Sequence, residues 1–394
     1  MDKLKNPVQR YAWGSPTAIP RMFGLPETGE PHAEMWLGAH PSAPSKVKRD
    51  GHSLGLDALI ASKPETHLGS TSFYRFGAQL PFLLKVLAAA EPLSLQAHPD
   101  KERARRGFAH EEAAGVPADA HHRRYRDANH KPELILALTE FHALSGFRRV
   151  DESVALLRAL GLDTSVLESR GLATYFEMMM TSPREEQDAL ARRALEACRG
   201  RAPAGFEGVC EWGARIGEKY TGDIGIVGAL LLNYVVLSPG QALYLPAGNL
   251  HAYLLGTGVE IMASSDNVLR GGLTPKHVDV EELVACLDFR DGPVPILEPE
   301  GDVAIYETPA EDFELSRLRP RGARLTLDHT GPEIVLVLEG ELSLETDHDR
   351  RTLGAGESVF IGADEGVTLH VEGEGIAYRA TVGSETAGLS VPPA

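Results

Sequence analysis

Ser94-Leu95-Gln96-Ala97-His98-Pro99-Asp100 is the stretch on which the reading of this chain turns. Leu95 and Ala97 alternate with Gln96 and His98. In a strand that period of two sends both polar side chains to one face. Inside a β-barrel or roll, that face looks into the cavity.

Three further stretches carry matching chemistry. Asn129-His130-Lys131-Pro132-Glu133 opens an apolar, strand-like run to Leu138. Leu245-Pro246-Ala247-Gly248-Asn249-Leu250-His251-Ala252-Tyr253 holds a Pro-Gly turn before a histidine. Ser265-Asp266-Asn267-Val268-Leu269-Arg270-Gly271-Gly272-Leu273-Thr274-Pro275-Lys276 adds a carboxylate and two cations. Gln96, His98, Glu133 and His251 together offer a divalent ion two imidazoles, a carboxylate and an amide oxygen, with a position left open as in catalytic rather than structural sites. One carboxylate leaves such a centre with roughly one net positive charge, enough to remain a Lewis acid and attract oxygen anions. Taken singly, a lone histidine is more often a hydrogen-bonded core residue, and a glutamate at a strand end a solvated one. The metal reading rests on the set.

The composition bounds what such a site can serve. With 394 residues the chain is long enough for two or three domains. Its 43% apolar and 24% charged content is that of a soluble globular protein. A formal charge of −17 excludes non-specific nucleic-acid binding and makes any phosphate site a local pocket of cations set against the global field. The longest apolar run, Ile224 to Leu237, is too short to cross a bilayer and reads as a buried strand pair or core segment. No secretory signal pattern is present at Met1 to Asn6, and Cys198, Cys210 and Cys286 are few and widely spaced. Both features suit reduced thiols in a cytoplasmic protein.

Residues 1 to about 100, rich in Gly, Pro and short apolar runs, predict strands joined by loops. The charged, Ala-rich Lys101 to Arg126 predicts a helical excursion, and helical spacing from Asp151 to Arg199 predicts an α-helical insertion. Short strands with glycine turns after residue 300 predict a separate sandwich or jelly roll, and the closing Val391-Pro392-Pro393-Ala394 a loose tail. The expected class is mainly β. The pattern divides the chain into a first β-unit at 1–148 and 223–300, an α-helical insertion at 149–222 and a small β-unit at 301–394.

The wording around the ligand set resembles the type I phosphomannose isomerases, zinc enzymes of the cupin superfamily. The likeness starts at Tyr11-Ala12-Trp13-Gly14-Ser15, continues through Ala33-Glu34-Met35-Trp36-Leu37-Gly38-Ala39-His40-Pro41-Ser42 and Pro81-Phe82-Leu83-Leu84-Lys85, and takes in all four stretches above in order. It implies two cupin jelly-roll domains and one Zn2+ per chain on Gln96, His98, Glu133 and His251. Implied too is an active-site arginine at Arg270, and a reaction that interconverts D-mannose 6-phosphate and D-fructose 6-phosphate in mannose metabolism or GDP-mannose biosynthesis.

Aldose–ketose isomerisation moves one proton between C1 and C2 through an enediol. Lys131, His130 and Asp266 are the candidates for that transfer. Strand alternation gives Lys131 the same face as Glu133 and turns His130 away. Arg270, permanently protonated, can face the developing enediolate. Lys276, Ser94 and Lys85 are the candidates for the sugar phosphate, with Lys85 otherwise a snorkelling or internally paired cation. Glu34 and Glu260 read as supporting carboxylates, and Trp13 and Trp36 as packing. Two other classes compete: an Fe(II)-dependent cupin oxygenase, which favours two His and one carboxylate, and a non-catalytic sugar-binding cupin, in which ligands would be missing.

Overall fold

In the computed structural model, which describes residues 1–49 and 51–384, the long strand His251–Ala263 organises the first half of the molecule. Its first part pairs with Phe141–Phe147 and with Gln96, and its second part with Phe82–Ala89 and Glu133–Ala137. Between them the register shifts at Tyr253/Leu255, and Gly256 adopts φ +128°. A Cβ at Gly256 would lie 2.7 Å from the Glu140 carbonyl, so the corner needs glycine. One strand thereby joins both layers of an 11-stranded antiparallel jelly roll.

Alternation sorts the strands of this roll. Ile135 and Ala137 point inward to a core with Leu87, Leu243, Leu245 and Tyr253. Leu134 and Leu136 point outward to another, shared with Leu37, Val86 and Ile261. Glu133 has the parity of Ile135, so it enters the roll at its mouth, buried to 2% exposure.

The second half is an eight-stranded antiparallel sheet in which Glu333–Glu345 and Thr368–Thr381 form the longest ladder. Its inner residues Val335, Leu342 and Val371 build a separate core. Tyr306, Phe313, Phe360 and Tyr378 instead join the outward-facing core of the first roll. The two β-units therefore share apolar surface. Asp2–Lys3, expected in the first unit, pairs with the second through Val359 and Phe360.

Helices Val150–Ala159, Ser165–Thr181, Arg184–Arg199 and Glu207–Lys219 form the insertion and pack on the first roll. Two expectations need correction. The run from Ile224, expected as strand, continues the helical block as Gly225–Leu230, and the strand begins only at Leu232. That helix is buried on every side, so its sequence has no polar face to reveal a 3.6 period. Its glycines permit the close fit, since a Cβ on Gly228 would sit 3.2 Å from Leu95. The first hundred residues also contain helices Ala18–Phe23, Leu56–Ser62 and Pro64–Phe76. The last is interrupted at Gly69, φ +75°, and its Ser- and Thr-rich sequence is a weak helix signal. Of the helical excursion expected over Lys101 to Arg126, Lys101–Ala113 is helical, capped by the Asp100 side chain on the Arg103 amide, and the rest is irregular. The expected tail at Val391–Ala394 lies outside the described residues.

Candidate metal centre

At the mouth of the first roll, ligating atoms of His98, Glu133 and His251 lie within 4.8 Å of one another. His98 Nε2 is 3.4 Å from Glu133 Oε1, and His251 Nε2 is 3.4 Å from Glu133 Oε2. All three residues are buried to 2% exposure or less. His98 Nδ1 faces the Asn267 carbonyl at 2.7 Å, and His251 Nδ1 faces the Asn249 carbonyl at 3.0 Å. A carbonyl can only accept, so each Nδ1 carries a proton and each ring turns its Nε2 toward the carboxylate.

Those atoms are orphans. His98 Nε2, His251 Nε2 and Glu133 Oε2 are buried with no hydrogen-bond partner among the described residues. Protonating the rings would satisfy them, but burial pushes His98 down to about 4, further than Glu133 pulls it up. Burial alone would raise the Glu133 carboxyl; Lys131 and His98 outweigh it and hold it well below the usual carboxylate range. Facing lone pairs without a donor are costly in a buried site. A divalent cation satisfies all of them, and a carboxylate with two imidazoles is a fitting donor set for zinc. The two backbone carbonyls fix ring orientation and tautomer as outer partners of metal-bound histidines do.

Gln96 stands opposite His251 on one side and Arg270 on the other. Directly opposed residues share a face, so its amide, the imidazole and the guanidinium all look into the same space. Gln96 and Arg270 line a cleft of about 580 Å³, whose wall also includes Lys131, Glu133 and Lys276. Arg270 is partly buried and touches Ser94 Oγ at 3.3 Å. Burial and then Arg126 lower its pKa, while Arg270, ahead of burial, lowers that of Lys276. Among the described residues neither Arg270 nor Lys276 has a carboxylate in ion-pair range. Two mutually repelling cations without counter-ions, in a chain of charge −17, mark a place for an anion.

The other expected residues separate into two groups. Lys131 Nζ lies 3.0 Å from Glu133 Oε1 on the cleft wall. Asp266 sits at the cleft mouth, 3.4 Å from His40 Nε2, and that contact lowers its pKa despite burial. His130 faces away, its Nε2 2.6 Å from Asp312 in the second β-unit. Lys85 is buried 2.8 Å from Glu260 and 3.6 Å from Glu34. Burial disfavours its charge, but Glu260, Glu34 and Glu133 together raise its pKa. It is thus an internally paired cation on the cleft floor, beside Trp36, whose indole N–H donates to Glu34.

Sequence reasoning missed Tyr253, His40, Arg126 and the carbonyls of Asn249 and Asn267. Tyr253 was findable: it follows His251 by two and so shares its face. Burial raises its phenol pKa, and the residue lines the cleft with its hydroxyl buried. Arg126 lies in an irregular segment with no period to orient it.

Residues 1–150 match the family described as phosphomannose isomerase type I, catalytic domain. The mannose-6-phosphate isomerase of Salmonella typhimurium is 39% identical over 381 residues, which span 93% of this chain and 95% of that protein. The Bos taurus mannose-6-phosphate isomerase is 34% identical, covering 92% and 93%. A crystal structure of holo, zinc-bound mannose 6-phosphate isomerase superposes with a TM-score of 0.89 at 38% identity, covering 97% of this chain and 99% of that one.

Proposed function

This chain belongs to the type I phosphomannose isomerases, and from that premise we propose how its own residues carry out the family's reaction. It is a zinc-dependent aldose–ketose isomerase that interconverts mannose 6-phosphate and fructose 6-phosphate. The observation that carries the reading is the trio of buried atoms on His98, Glu133 and His251 that have no partner among the described residues, beside a cleft that Glu133 lines together with the cations Arg270 and Lys276.

Gln96, His98, Glu133 and His251 would hold one zinc ion. When bound, zinc supplies a Lewis acid beside the substrate oxygens. Arg270 stabilises the negative charge that develops on those oxygens without giving up its proton. Lys131, as the free amine, takes the C2 proton and returns it to C1 on one face of the enediol, with Asp266 orienting the mouth of the site. Lys276 and the Ser94 hydroxyl bind the phosphate, a pairing of charge and donor suited to its oxygens. Lys85, neutralised by Glu260 and Glu34, supports the floor rather than the phosphate. No helix among the described residues is long and apolar enough to cross a membrane. We read the enzyme as cytoplasmic, with a small sugar phosphate as partner and no role on nucleic acid.

A coupled isomerase assay with mannose 6-phosphate tests the reading. Activity should vanish on chelation and return with zinc; Fe(II)-dependent oxygen consumption in its place overturns it. Arg270→Ala should keep zinc and lose ~10²–10³ in kcat. Near-normal turnover would remove Arg270 from the mechanism.

A further inference from the structure

We propose that Asp312, in the second β-unit, is a positioning residue for the reaction: through His130 it holds the turn that sets Lys131 beside Glu133. The inference rests on the isomerase reading above and adds a contribution from the half of the chain that holds no metal ligand.

Asp312 is 1% exposed, and its Oδ2 meets His130 Nε2 at 2.6 Å across the two units. Its other oxygen has no partner. A buried carboxylate with half its acceptors idle is a poor device for stability, since desolvation outweighs what one contact returns. The loop that carries it is a rigid mount. Ala310 and Phe313 on either side are anchored in the core shared by both units, and Arg75 Nη2 donates to the Glu311 carbonyl at 3.2 Å.

The segment it grips has few other restraints. The Asn129 carbonyl accepts from Asn267 Nδ2 at 2.8 Å and Ser265 Oγ at 3.2 Å, and the Pro132 carbonyl from the Ala263 amide at 3.1 Å. Ladder pairing starts only at Glu133. Between those anchors, the His130 side chain ties the turn from the side opposite Lys131, whose ammonium sits 3.0 Å from Glu133 Oε1. Slackening that tie lets the Lys131 ammonium drift. A proton relay between adjacent carbons tolerates little drift, because an error of ~1 Å in a reacting group can cost ~10²-fold in rate. His130 and Asp312 never touch substrate; they act through Lys131.

The test compares Asp312→Ala, Asp312→Asn and His130→Phe in the zinc-loaded, full-length enzyme. Asp312→Ala should lower kcat by ~10-fold or more while KM stays within about two-fold and zinc content is unchanged. Asp312→Asn keeps an acceptor for the imidazole and should recover most of the rate. His130→Phe should match Asp312→Ala, and the double variant should lose no more than either, as expected for two ends of one contact. Wild-type kcat in Asp312→Ala overturns the proposal. So does a joint loss of kcat, zinc and Tm that Asn fails to rescue, which assigns the pair to folding. A zinc-loaded wild type inactive on mannose 6-phosphate sinks the function itself; an active wild type with indifferent variants sinks only this inference.

Discussion

Each β-unit buries a histidine against a glutamate, and the two pairs are completed in different ways. In the first, His98 and His251 turn bare nitrogens toward Glu133, and no side chain supplies the missing positive charge to all three. In the second, His329 donates from Nδ1 to Glu333 at 2.8 Å and from Nε2 to the Gly362 carbonyl at 2.8 Å, which only the doubly protonated ring can do. Arg379 then closes on both oxygens of Glu333, with Nε at 2.6 Å from Oε2. A covalently attached cation occupies the role that an ion fills in the first unit. The difference separates chemistry from structure. An ion leaves coordination positions open to substrate, whereas a guanidinium forked on a carboxylate leaves none.

The largest expected effect lies at the first cluster. His251→Ala should abolish zinc binding and reduce turnover by ~10³-fold or more, the scale of several kcal/mol of Lewis-acid stabilisation. Metal analysis and the isomerase assay check it. Zinc retained at full occupancy would break the contrast.

Next is the second cluster. Arg379→Leu removes the forked partner of the buried Glu333 carboxylate, leaving it only His329, and should cost about 3 kcal/mol of stability, read as a fall in Tm, with kcat at 25 °C little changed. Adding Glu333→Gln should restore much of the loss. A single variant as stable as wild type would show that the arginine is dispensable, unlike the ion.

The smallest effect is a dependence on pH. Burial lowers the His329 pKa, but Glu333 and the Gly362 carbonyl outweigh it and raise the folded-state value above the unfolded one. Its contribution to stability is therefore full below about pH 6.5 and is lost as pH rises through the higher folded value. Glu333 behaves oppositely. Arg379 and His329 overcome burial to hold it below 4.5, so its contribution is lost only as pH falls through that lower value. Tm followed from pH 6 to 9 should decline more steeply in wild type than in His329→Gln. Parallel slopes would mean that His329 does not carry the proton.

Much of this was legible because it is local. Alternation in Leu95-Gln96-Ala97-His98 orients two candidate ligands wherever the strand goes, and the parity of Lys131 with Glu133 distinguishes it from His130. Short strands with glycine turns pointed to a sandwich or jelly roll in the last ninety residues, and the family resemblance implied the jelly-roll class of both units. Gly225–Leu230 was misread because burial on all sides erases the pattern that betrays a helix. His130 shows the other boundary: its partner Asp312 is 182 residues away, and no local rule reports that contact.

The sequence by itself determined the ligand types, the faces they point to and the class of fold, since these depend on side-chain chemistry and on the two-residue repeat of a strand. Only the tertiary structure decided which carbonyls lock the two imidazoles, that Lys85 is already neutralised, and that the second unit reaches the turn beside the metal ligand. Those are distances between residues far apart in the chain. They are fixed by how the sheets bend at Gly256 and pack through a shared core, a collective result of many contacts that no short segment encodes.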